Sequence, residues 1–188
     1  ATGTEDPQSL AVIEHKLAEV HERLGDWEIA RAYLESAADL LTVDGPPQMR
    51  AQVMADLALV MQRQGDPAAE SVGRGAVELA ETSGDHISLA QANNVLGVIA
   101  AQRGDIQAAE TLLMTSRAQA VEADDVTLLV AVVNNLARLY AQDGQLDLAL
   151  GEASEALELG IRQGDQHRIA ALHDHLADLL HRDGRDDE

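Results

Sequence analysis

The chain has 188 residues, Lys+Arg 13 against Asp+Glu 33, a formal net charge of -20 and Cys 0. The length is one ordinary domain's worth. The acidic balance, with only Trp27, Tyr33 and Tyr140 as aromatics, excludes the basic stripe and stacking platforms that nucleic-acid binding needs. Without cysteine there is no disulfide framework, thiolate nucleophile or cysteine metal cage, so packing alone carries stability.

Taken in chain order, Ala1 to Gln8 has neither a basic region nor an apolar stretch and begins without Met. It reads as a processed or excised edge of a larger protein. A helix then carries Leu17, Ala18 and Val20 on one side and ends at Gly25. The pattern recurs as Leu57-Ala58 with Val60 and Gly65, Leu96-Gly97 with Ile99 and Gly104, Leu136-Ala137 with Leu139 and Gly144, and Leu176-Ala177 with Leu179 and Gly184. The leucines are 40, 39, 40 and 40 residues apart, and glycine follows each by eight. Chance would align the glycines about once in tens of thousands of trials. The five leucines are expected at matching interior sites.

Each of these A helices is followed by a B helix. Asp26, Asp66 and Asp105 stand where a carboxylate accepts the orphan amides of a helix start, and Pro67 suits a first turn. Small residues recur along the B helices, Ala30, Ala69, Ala109 and Ala149, then Ala37, Ala76, Ser116 and Ala156, which predicts close antiparallel packing. The one 39-residue spacing is explained if the second B helix begins a residue early, since Ala69 sits four after its glycine where the others sit five after. Breaks at Asp44-Gly45, Gly84-Asp85, Asp124-Asp125 and Gly164-Asp165 separate the pairs. The expectation is an all-α solenoid of four hairpins, at about 9-45, 48-84, 87-124 and 127-164, closed by a capping helix at about 167-182, in a single domain over 1-188. The most apolar run, Val126 to Ala137, is too short to span a bilayer.

The best copy, Asn134-Asn135-Leu136-Ala137-Arg138-Leu139-Tyr140 followed by Gly144 and Ala149, resembles the tetratricopeptide repeat. It is similar to the variant of about 40 residues in kinesin light chains and in the sensor arms of bacterial signal-transducing ATPases and transcription regulators. Val133, Ala153 and Ile161 stand where the shorter repeat has tryptophan, phenylalanine and proline, and these departures fit the longer variant. The resemblance implies a right-handed superhelix whose concave wall, made by the A helices, holds a peptide or protein segment. It implies no enzymatic chemistry and no cofactor.

Carried over from the family, the groove rows two before and two after each leucine give His15, Glu19, Leu59, Asn94, Val98, Asn134, Arg138, Asp174 and Asp178 as binding candidates. The side-chain amides of Asn94 and Asn134 can pair with the backbone of an extended ligand or bond a neighbouring helix of the scaffold. Leu59 and Val98 supply an apolar floor or pack between hairpins, and Arg138 meets an acidic ligand group or a nearby carboxylate. No two-lysine carboxylate clamp is present in these rows. His167, His173, His175 and His181 crowd the last helix, but none pairs at i and i+4, so no metal is expected there. Paired Asp174 and Asp178 make a solvated stripe or a site for a basic partner rather than a catalytic dyad. The expected function is a non-enzymatic, cytoplasmic protein-binding scaffold, the interaction or sensor arm of a regulatory protein, with a basic or neutral partner and no membrane. Self-association of a signalling protein is the alternative.

Overall fold

The computed structural model describes residues 6–41 and 45–184. Ala1 to Glu5 and Asp44, which belong to the expected amino edge and the first break, lie outside the described residues. The described residues form nine helices: α1 Pro7–Leu24, α2 Trp27–Leu40, α3 Pro47–Arg63, α4 Ala69–Ser83, α5 His86–Gln102, α6 Ile106–Glu122, α7 Val126–Gln142, α8 Leu146–Gln163 and α9 Gln166–Arg182. Among these residues there is no strand.

Local chemistry sets the ends. Gly25, Gly65, Gly104, Gly144 and Gly184 all have φ between 72° and 80°, the left-handed region in which a β-carbon is strained. Asp66 accepts the amide of Ala68 at 2.9 Å and Asp105 that of Ala108 at 3.1 Å. Asp125 and Asp165 cap α7 and α9 in the same way. Asp26 does not cap; its carboxylate lies 3.2 Å from His21 Nδ1 instead. The second B helix differs from its expectation too. Pro67 and Ala68 form a turn, closed by the Ala69 amide donating to the Asp66 carbonyl, and α4 begins after it at Ala69. Ala69 still fills the buried seat of Ala30, Ala109 and Ala149, because the turn delivers it one residue sooner after its glycine.

The chain packs as two compact units, Ala1–Leu96 and Gly97–Glu188. In the first, α1 lies against α2, α2 against α3 and α3 against α4. Ala55, Ala76 and Ala92 close a cluster flanked by Met54 and Val77, which seats the first part of α5 on α3 and α4. Arg31 of α2 reaches Asp66 at 2.9 Å, and the Arg63 guanidinium lies 5.7 Å above the Trp27 ring, so the end of α3 is tied to the first hairpin.

In the second unit α6 meets α7, α7 meets α8 and α8 meets α9. Val130, Val133, Ala156 and Leu172 form the cluster through which α9 covers α7 and α8. On α9 Ala170, Ala171, His173, Asp174, Ala177 and Asp178 are exposed. Arg117 binds Glu152 at 3.1 Å and Glu155 at 2.6 Å, linking α6 to α8. Tyr140 donates to Glu110 at 2.9 Å, and burial first and this carboxylate second push the phenol up to about 12.

The leucine column is interior only in part. Leu57, Leu96 and Leu136 are buried and Leu176 is half-buried, whereas Leu17 is 38% exposed. The reason is positional, since a column residue is covered by the hairpin ahead of it and no described hairpin precedes α1.

Candidate functional site

The candidates sit on the A-type helices, and each unit holds its own share. In the first unit His15 of α1 is buried, with Nε2 2.7 Å from Asp56 Oδ2 of α3. Glu19, half-buried, takes the Lys16 ammonium at 2.5 Å. Leu59 is half-buried on α3, and Asn94 is buried on α5. One further carboxyl belongs to this wall. Glu22 is pushed up to about 8, by burial first and then by Asp56 and Glu19, with Arg23 opposing. Its Oε1 is buried and has no hydrogen-bond partner among the described residues.

In the second unit His175 Nδ1 of α9 donates to Asn134 Oδ1 of α7 at 2.8 Å. The imidazole is held below its ordinary range, chiefly by burial and then by the Arg138 charge, against the opposing pull of Asp178. Val98 is half-buried; Arg138, Asp174 and Asp178 are exposed. The fully exposed candidates of this unit are thus one cation and two carboxylates.

Two of these contacts share a register. His15 to Asp56 and Asn134 to His175 both span 41 residues, joining the position two before one leucine to the position one before the next. Gln142 to the Ala101 carbonyl and Arg182 to the Ala141 carbonyl repeat that separation, so polar side chains bridge consecutive A helices. Asp56, Glu22 and His175 lie outside the two groove rows. The 41-residue offset between polar positions was the available signal for Asp56 and His175, while only the packed structure shows the burial of Glu22. Among the described residues no group of three or more His, Cys, Asp or Glu is placed to hold a metal, and no helix is long and apolar enough to cross a membrane.

Residues 9–71 match the family model for the tetratricopeptide repeat. Over nearly the whole chain, solved structures share the architecture. BtubC (BKLC) from P. vanneervenii is similar with a TM-score of 0.75 at 20% identity, covering 96% of this chain and 76% of that one. A Rap protein complexed with competence and sporulation factor gives 0.78 at 19%, covering 97% of this chain and 55% of its own. This is a tetratricopeptide-repeat fold. Aspartyl phosphate phosphatase F from Bacillus subtilis has the fold as well, with a TM-score of 0.76 at 14% identity over 94% of this chain and 47% of that one. The chain therefore spans about half the length of the last two. No curated protein matches it significantly in sequence. A tetratricopeptide-repeat fold offers helix faces in register, which suits protein and peptide recognition.

Proposed function

We propose that the chain is a non-enzymatic binding module, the interaction or sensor arm of a regulatory protein, that holds a basic or neutral peptide segment on the inner walls of its A helices. The observation that carries this reading is the concentration of carboxyl groups on those walls. In the first unit burial first, and the charges of Asp56 and Glu19 second, hold Glu22 protonated up to about pH 8, and Asp174 and Asp178 stand exposed on α9 in the second. A ligand ammonium or guanidinium relieves that repulsion. Leu59 and Val98, both half-buried, supply an apolar floor in this reading.

His15, Asn94 and Asn134 act one step behind the surface in this reading. His15 and Asn134 hold adjacent helices together, and the ligand meets Glu19, Arg138, Asp174 and Asp178. Fluorescence polarisation of a labelled panel of basic, neutral and acidic dodecapeptides tests it. Basic peptides bind tightest, and Asp174→Asn combined with Asp178→Asn weakens them by about tenfold, the size of one charge-assisted contact. A uniform preference for acidic peptides would overturn the proposal.

A further inference from the structure

Helix α1 differs from the later A helices in what covers its leading side. Its Ile13 is 54% exposed, while the residues at the same repeat position, Val53, Ala92, Val132 and Leu172, are 0%, 0%, 0% and 4% exposed. Val20 is 46% exposed, against 0% for Val60, 2% for Leu139 and 0% for Leu179. With Leu17 and Leu24 these residues form one apolar stripe along α1 at spacings of four, three and four.

Inside each unit the structure shows what buries that column. Ala92 packs on Ala55 of α3 and Ala76 of α4. Leu172 packs on Val130 and Val133 of α7 and on Ala156 of α8. The column residue thus sits in the groove of the preceding hairpin, against an alanine of its B helix. Beside the α1 stripe runs an open cleft lined by Glu14, Glu28, Ile29, Ala32, Tyr33 and Ser36. On α8 the positions of Tyr33 and Ser36 are Glu152 and Glu155, and there they receive Arg117 from the preceding B helix. In the α1–α2 cleft, Glu14 Oε2 is buried with no hydrogen-bond partner among the described residues.

We propose that the leading face of α1 and α2 is a docking surface for one more helical hairpin of this repeat type, stacked ahead of α1, with an alanine-floored groove for Ile13 and a basic side chain on its second helix for Glu14 and Glu28. The first, second and fourth hairpins of a second copy do not supply such a groove. In the first unit α3 lies on the first hairpin and α5 on the second, and in the second unit α9 fills the groove of α7 and α8. The inference is independent of the reading of the inner walls.

The test extends the chain with its own second hairpin, residues 46–84, joined directly to Asp6, which occupies the repeat position of Asp85. Thermal unfolding and amide exchange are read on the extended and the original chain. The extended chain melts about 5 °C higher, with slow exchange in the added helices and newly slowed exchange across α1. Ile13→Asp removes that gain in the extended chain and shifts the original chain by less than about 2 °C, because the side chain is exposed there. Ile13→Ala serves the same comparison with a smaller change. Val77→Arg in the added copy stands at the register of Arg117 and raises the gain further at low salt; no further rise would sink the basic-residue part. Fast exchange throughout the added hairpin with an unchanged melting temperature overturns the docking surface. So does light scattering that shows the original chain as a dimer dissolved by Ile13→Asp, which would assign the face to self-association.

Discussion

At the scale of single residues, the same side chain does different work depending on its place in the stack. Leu136 is wholly buried, so Leu136→Ala should cost about 2 to 5 kcal/mol in chemical denaturation, whereas Leu17→Ala, at an exposed site, should cost under about 1 kcal/mol. Glu22 has a raised pKa in the fold, about 8 against 4.5. The folded chain therefore holds a proton there that the unfolded chain has lost, and its contribution is full below pH 4.5 and disappears as pH rises through about 8. Melting temperature should fall across that window, and Glu22→Gln should flatten the fall; an identical slope in the variant would remove Glu22 as its source. The columns that pack were readable residue by residue in the sequence, because small and aliphatic side chains recur at fixed positions. The pairing of His15 with Asp56 and of His175 with Asn134 left only the 41-residue offset as a trace, since it depends on which of two adjacent rows points at the next helix.

At the scale of elements, helix ends and helix contacts carry the most legible information. The glycines that end four A helices and follow α9 were visible as a column, and their left-handed backbone is the physical reason for it. The later start of α4 was hidden, because Asp66-Pro67 looks the same whether the proline opens the helix or a turn before it. Gly97 marks a close helix contact. A β-carbon there would lie 2.7 Å from Leu113 Cγ and 2.9 Å from its Cδ2, so α5 and α6 approach through the missing methyl. Gly97→Ala should destabilise by about 1 to 3 kcal/mol despite the better helix propensity of alanine. Gly73→Ala, whose β-carbon would meet the more yielding Leu96 Cδ2 at 3.2 Å, should cost less, and urea melts of the two variants compare them directly.

For the whole molecule the governing quantity is the net charge of -20. A basic ligand should associate faster at low ionic strength, and stopped-flow rates should fall steeply as salt shortens the Debye length to about 8 Å. A rate indifferent to salt would show that charge does not guide the encounter. The 40-residue period made the helical architecture legible from end to end, because repetition multiplies a weak local signal. It could not mark the division after Leu96, which falls inside α5, where Gly97 reads only as the small residue of the repeat column and no change of composition announces a boundary. That division gives the chain's sole indole a special use. Trp27, held under Arg63, belongs wholly to the first unit, so its fluorescence is blind to events confined to α6 through α9. Heating while recording emission alongside far-ultraviolet dichroism, which samples every helix, would reveal directly whether the two halves melt as one cooperative body or in succession.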